Sequence, residues 1–284
     1  MILNTVVKGE NGGGLPAFSY SGLYIMKADS GENWRIGFIT SGTLIPEEDL
    51  EVDIFLCGAG AGGQTGNRTS TANTYGNGGC DGGKSNTNTS YSTRAGHGGG
   101  GGYTNTVKKI KLLKGAEYPV VIGAGGSANS AGGQSSFDNY VALGGDGAVA
   151  TNNTSVRGGS NGSPGQGTTT REFGEENGEL YSGAGGAGGS YSNGLKAGGA
   201  GGAGGSSDAS AGGGAFPSSN TTGGKGAASE AWLVGGANGG GAGGSAPGGG
   251  GGGGIGAGGG GGANSGGVGG KGAQGIVIIR NART

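Results

Sequence analysis

The chain has 284 residues, of which 84 are glycine, and its 17 basic side chains face 18 acidic ones for a net charge of −1. With only 6 prolines and no strict every-third glycine it is not a collagen helix. The near-zero charge argues against a charge-swollen disordered chain and against a protein that binds nucleic acid by neutralising phosphates.

The first quarter reads as short strands. Phe18–Met26, Trp34–Thr40 and Leu50–Cys57 are rich in β-branched and aromatic residues, and turn material separates them at Asp29-Ser30-Gly31, Ser41-Gly42 and Ile45-Pro46. In the third, Leu50, Val52, Ile54 and Leu56 alternate with Glu51 and Asp53, which predicts a strand with one buried face, although Phe55 breaks the polar side. Tyr103–Leu113 and Glu117–Ile122 flank a Lys114-Gly115-Ala116 turn and predict a hairpin. Pro119, which has no amide hydrogen, belongs at an edge or at the start of its strand. Ser136–Leu143, Ala231–Val234 and Ile276–Arg280 follow as further strands.

No glycine-free window carries a 3.6-residue period, so α-helix is expected to be negligible. The fold these signals predict is a single all-β domain over residues 1–284, an antiparallel jelly-roll β-sandwich. Val52–Leu56, Val120–Ile122 and Ile276–Ile279 should be buried, and adjacent or facing. No apolar run approaches the roughly 18 residues of a membrane-spanning helix, so no membrane insertion is expected. Met1 to Val7 lacks the basic flank of a secretory leader, which fits synthesis and assembly in a cytoplasm. Cys57 and Cys80 are too few for a disulfide framework or a metal site, and the sequence leaves open whether they pair.

Between the strands the glycines have a period of their own. Gly198–Gly205 reads GGAGGAGG, and Gly248–Gly262 is interrupted only by Ile255 and Ala257. Three residues per turn is the repeat of a polyproline-II type helix, and glycine lets such helices lie side by side with their amides bonded to neighbours. Glycine is costly to order, but strands recur between the runs and anchor both ends of each. Packed polyglycine helices are therefore expected near 58–63, 96–102, 183–205 and 235–275.

Several patterns imitate catalytic or cofactor motifs. Gly58-Ala59-Gly60-Ala61-Gly62-Gly63 satisfies G-x-G-x-x-G after a strand, but no helix opens there to meet a pyrophosphate. Gly78–Ser85 (GGCDGGKS) satisfies the phosphate-loop pattern, yet lacks the apolar strand before it and the helix after it. His97 is the sole histidine and has no partner at ligand or triad spacing. Glu172, Glu175, Glu176 and Glu179 cluster in a glycine-broken stretch beside Arg171, which reads as a solvated charged loop rather than a pair of hydrolytic carboxylates. No catalytic, cofactor or metal residue is expected, and the chain does not read as an enzyme.

Five stretches taken together carry a resemblance. WRIGFITSGT at Trp34–Thr43, GGGGGYTNT at Gly98–Thr106, YPVVIGAGG at Tyr118–Gly126, TREFGE at Thr170–Glu175 and GIVIIR at Gly275–Arg280 resemble, in order, the glycine-rich domain of bacteriophage tail and tail-fibre proteins. The chain is also similar in kind to the polyglycine-helix tip adhesins of phage fibres. It is similar too to the glycine-rich region of anaplastic lymphoma kinase, where such helices are inserted in a tumour-necrosis-factor-like sandwich. The resemblance implies a virion protein of the phage tail, made in the host cytoplasm. Its partners would be a bacterial cell-surface glycan or surface protein and other tail proteins, and it allows a homotrimer. Tyr75, Tyr91, Tyr191 and Phe216, each in a Ser/Thr/Asn-rich loop, are the expected receptor contacts. The other reading is a purely structural tail or decoration protein whose loops are simply solvated.

Overall fold

Among the described residues most apolar stretches between the glycines are extended chain. The computed structural model describes residues 5–7, 15–29, 33–65, 98–145, 171–183, 185, 190–191, 195–196, 225, 229, 231–238, 248, 250–262 and 267–283. In chain order the strands are β1 (Thr5–Val7), β2 (Phe18–Tyr20), β3 (Tyr24–Ala28), β4 (Trp34–Phe38), β5 (Gly42–Pro46), β6 (Leu50–Cys57) and β7 (Thr104–Leu112). Then come β8 (Tyr118–Val121), β9 (Ser135–Phe137), β10 (Tyr140–Ala142), β11 (Ser190–Tyr191), β12 (Leu195–Lys196) and β13 (Ile276–Asn281). Among the described residues the one helical element is a 3-10 turn, Glu172–Gly174.

Two sheets form a sandwich. The larger has the order β1-β3-β4-β13-β6-β7 and the smaller β10-β9-β8-β5-β2, while β11 and β12 make a separate ladder. All pairs are antiparallel except β1 on β3. Met26, Ile36, Phe38, Ile54, Leu56, Val277 and Ile279 of the large sheet meet Tyr20, Leu44, Val120, Phe137 and Ala142 of the small one in a single core. Each such side chain is worth about 1.5–3 kcal/mol on burial.

The large sheet is buried on its other face too, which corrects the reading of β6 as half-buried. Ile25, Phe55, Cys57, Ile276 and Ile278 pack there under Phe173, Tyr181, Trp232, Val234 and Ile255. Phe55, the residue that breaks the alternation, lies 4.8 Å from the Tyr181 ring. Trp232 needs a slot, and Gly37 in β4 supplies it: a Cβ there would stand 2.4 Å from the indole. A strand buried on both faces loses its polar alternation, and IVII in β13 is the same effect in full.

Other boundaries also differ from the sequence reading. Phe18–Met26 is two strands in different sheets, because the chain bends at Ser21-Gly22. Gly22 is required by close approach, since a Cβ would lie 2.8 Å from the Ser41 carbonyl oxygen. Ser41-Gly42 and Ile45-Pro46 are not two turns: residues 42–46 form β5, which pairs with β2 and β8. The turn at Lys114-Gly115 forms, with Gly115 at φ +74°, but its arms part. β7 pairs with β6 and β8 with β5 and β9, so they are a crossover between sheets and not a hairpin. Pro119 lies at the start of β8, ahead of its pairing with β9. Ser136–Leu143 is itself a tight hairpin of β9 and β10. Residues 231–233 are a turn closed by a Ser229–Val234 bridge.

Beyond the sandwich the strands run into a bundle of glycine helices. Along residues 58–63 the amides turn to three neighbours in rotation. Gly58 and Ala61 donate to the carbonyls of Tyr103 and Gly100, Ala59 and Gly62 to Gly133 and Ser130, and Gly60 and Gly63 to Ala273 and Gly270, all at 2.8–2.9 Å. That is the three-residue period of a polyglycine-II helix. The carbonyls of the same helix accept from three more segments, through Gly145 to Ala59, Gly126 to Gly60 and Gly259 to Ala61.

The six neighbours close a ring through bonds among themselves: Gly102 to Gly256, Tyr103 to Leu143, Gly132 to Gly145, Gly133 to Ala124, Gly272 to Gly126 and Ala273 to Ala257. Their order repeats that of the sheets. Strands β13, β6 and β7 continue as 270–275, 58–63 and 98–103, and β8, β9 and β10 as 123–126, 130–133 and 143–145. Sheets bearing side chains stack about 10 Å apart. Without side chains the two layers close until main chain bonds main chain across them.

Candidate functional site

Two places combine exposed chemistry with a rigid frame. The first is the end of the glycine bundle away from the sandwich. The chain leaves the central helix at Thr65 and re-enters the bundle at Gly98; these two segments run antiparallel, with Ala61 bonded to Gly100. The turn Ser127–Ser130 lies at the same end, where the Thr65 amide donates to Asn129 Oδ1 (2.9 Å) and Asn129 Nδ2 to Thr65 Oγ1 (3.1 Å). Gly262 donates to Gln64 there as well.

Of the expected contact residues, Tyr75, Tyr91 and Phe216 lie outside the described residues, as do His97 and the 78–85 loop. Tyr191 pairs with Leu195 in the β11–β12 ladder, and its side chain is outside the described set. The G-x-G-x-x-G stretch is the central helix itself. Its amides are all committed to protein carbonyls, so it has no donors to offer a pyrophosphate.

The second place is at the opposite end of the large sheet's outer face. Lys27, Arg35, Arg280 and Asp53 stand in one cross-strand row, through the registers Lys27–Arg35, Arg35–Arg280 and Arg280–Asp53. Three cations side by side repel, and the segment from Arg171 to Leu180, pinched by a bridge between those two residues, supplies the counter-charges.

Arg35 Nη1 donates to Glu172 Oε1 at 2.7 Å, and its Nη2 lies 3.1 Å from Asp29 Oδ1. Arg280 bonds Asp53 at 3.1 Å and Glu175 at 2.6 Å, and its guanidinium sits 3.9 Å over the Phe173 ring. Arg283 reaches Asp29 at 2.5 Å. Below them Trp232 Nε1 donates to the Tyr181 hydroxyl (3.0 Å), which donates to Glu172 Oε2 (2.7 Å). Lys27 lies 4.4 Å over the Trp232 ring.

The acidic stretch is therefore only in part the solvated loop its composition suggests: Glu172 is 2% exposed and Glu179 half-buried, while Glu175 and Glu176 are exposed. Sequence reasoning missed this because the partners are remote in the chain. The available signal was Arg280 closing the buried strand IVIIR. Burial, and then the Glu172 charge, push the Tyr181 phenol well above its ordinary range, so it stays a donor. Burial and the same neighbour push Glu179 up. The bond from Arg280 holds Glu175 below the usual carboxylate range. Burial, and then Arg35, lower Lys27.

The charged groups enclose a cleft of about 430 Å³ whose lining also includes Asn177 and Gly178. Among the described residues no group of three His, Cys, Asp or Glu side chains is placed to hold a metal ion.

The architecture defines a class: an all-β sandwich whose strands run on into hydrogen-bonded glycine helices. The profile of the glycine-rich domain family matches residues 74–282, and the chain belongs to that family. No curated protein matches it.

Proposed function

We propose that the protein is an adhesin of a phage tail or tail-fibre tip, which displays variable polar loops on a rigid glycine scaffold to contact a bacterial surface glycan or surface protein. The observation that carries this reading is the bundle end. Residues 66–97, which contain Tyr75 and Tyr91, are bracketed by the central helix and by one of the six segments that ring it, bonded to each other. The Gly262 and Ser127–Ser130 ends face the same way, so the frame fixes several loop anchors together. Rigid frames with variable connections are where recognition is commonly built. The order of WRIGFITSGT, GGGGGYTNT, YPVVIGAGG, TREFGE and GIVIIR supports the virion setting, with other tail proteins as partners.

Aromatic rings among Ser, Thr and Asn offer stacking area beside hydrogen-bonding groups, the combination that a sugar or a protein surface needs. The test is whether purified protein coats bacterial cells and competes with phage adsorption, and whether alanine at Tyr75 and Tyr191 together abolishes both while the melt is unchanged. A double variant that melts lower yet binds normally per folded molecule would make these tyrosines local lids. Wild-type protein that coats no susceptible cell would favour the purely structural tail role.

A further inference from the structure

Along one flank of the bundle the three-residue period leaves every third position facing out. A Cβ at Gly123 or Gly126 would strike the 130–133 segment, and one at Gly125 would strike Gly272. The remaining row, Val121, Ala124 and Ser127, is exposed. The neighbouring segment repeats the pattern. Gly269 and Gly272 face the central helix, Gly267, Gly270 and Ala273 are buried, and Val268, Lys271 and Gln274 form the outward row. Gly144 and Gly145 likewise turn inward and leave Leu143 outside. These rows continue the outer face of the small sheet, where Thr43, Ile45, Pro119 and Val141 alternate with the core residues Leu44, Val120 and Ala142.

The outward side chains named here include one charge, Lys271, whereas the edge strand β7 exposes Lys108, Lys109 and Lys111. Three large aliphatics lie open among them: Val121, Leu143 and Val268 are 44%, 52% and 58% exposed. Loss of charge around exposed apolar groups is the composition of an interface core. Five strands spaced about 4.8 Å apart, and the run from Glu117 to Ser127 at about 3.2 Å per residue, span on the order of 700 Å². A standard interface buries about 800 Å² per partner.

The charges select the occupant. Segments 123–126 and 270–275 run antiparallel, with Gly275 bonded to Gly123 and Gly272 to Gly126, which sets Lys271 level with Ser127. Exposed Glu117, in phase with Pro119 and Val121, lies ten residues back from Ser127, and Ile122 is midway. A two-fold axis lying in the face, across the strands at Ile122, therefore lays Lys271 of one copy on Glu117 of the other, twice. It also brings Val121 against its own counterpart. We propose that this face is an isologous homodimer interface, with a second copy of the chain as its occupant. The inference does not rest on the adhesin reading, and cell coating can fail with the dimer intact.

Sedimentation equilibrium of the full-length protein tests this, with circular dichroism to show that each variant is folded. The parent should show a monomer–dimer equilibrium at micromolar concentration. V121E sets two carboxylates face to face at the axis and should leave a folded monomer. K271E and E117K should each raise Kd about tenfold or more, because the symmetry makes each change twice. Combining them re-forms both pairs with the charges exchanged and should restore the dimer. K108E, on exposed β7 away from the face, should dimerise as the parent does. The charge exchange uses two exposed positions and decides the matter independently of V121E. The proposal is overturned if the parent stays monomeric up to about 100 µM or assembles as a trimer. A folded V121E that remains dimeric also overturns it, as does a double variant that recovers nothing the single ones lose.

Discussion

Replacing Gly60 by alanine adds one methyl group at the centre of the bundle, and its cost can be worked from the geometry. The new Cβ would stand 2.0 Å from the Ala257 carbonyl oxygen and 2.3 Å from its carbon, where ordinary contact begins at 3.4 Å. Segment 256–260 must therefore retreat by more than an ångström. It is fastened by Gly99 to Gly259, Gly259 to Ala61 and Ala273 to Ala257, at 2.7–2.9 Å. Stretching these three bonds forfeits about 1 kcal/mol each, and any buried group left unmatched costs about 1–3 kcal/mol more. The expected loss is about 3–6 kcal/mol out of a typical stability of roughly 5–15.

Gly235→Ala is the matched control. Its Cβ meets only Lys225 Nζ at 3.6 Å, and the lower chain entropy of alanine makes the change neutral or stabilising by up to about 1 kcal/mol. Denaturant midpoints of the two variants, with hydrogen exchange at the Gly259 and Ala273 amides, measure the difference. Coincident midpoints would refute close main-chain packing.

Gly37→Val should cost about 1–3 kcal/mol by overpacking and alter the near-ultraviolet signal of Trp232, whose ring occupies that slot. Two carboxylates should respond oppositely to pH. Glu175 has a lowered pKa, so its pairing stabilises above about pH 4.3 and is lost as pH falls through the folded value; E175Q should cost up to about 1 kcal/mol at pH 7 and nothing in acid. Glu179 has a raised pKa, so its contribution is complete below about pH 4.3 and lost as pH rises through the folded value. E179Q should therefore melt higher than the parent at neutral pH and merge with it in acid. Exchanging residues 66–97 for a short Gly-Ser linker should leave the melt unchanged and abolish cell coating; retained coating would place the contacts elsewhere.

The strands were legible because their signals are local. VDIFL and IVII carry enough branched and aromatic side chains to declare extended chain wherever they pack, and glycine runs anchored by strands marked 58–63 and 98–102 as bundle, while the GGAGGAGG repeat at 198–205 lies outside the described residues. Sheet membership was not legible. Lys114-Gly115-Ala116 has the composition of a hairpin turn whether its arms pair or diverge, and only the demands of two sheets decide between them. Phe55 was an anomaly under one buried face and becomes ordinary once Tyr181 and Phe173 cover the second. The charged cleft was least visible. Its bonds join Arg35 to Glu172 and Arg280 to Asp53, 137 and 227 residues apart, and a charge run with no visible partner looks like a solvated surface.

The rotation of amides among three neighbours in 58–63 sets a reading frame for the glycine runs. Deleting one residue turns every later amide in that segment by a third of a turn, away from its own acceptor and towards another helix. Deleting three restores the pairing and shortens the helix by about 9 Å. Length variation in the runs is thus confined to steps of three, whereas the connections between runs can change by any number of residues. A scaffold of this kind separates its two parts by arithmetic: the frame admits only triplets, and the segments it holds are free of that count.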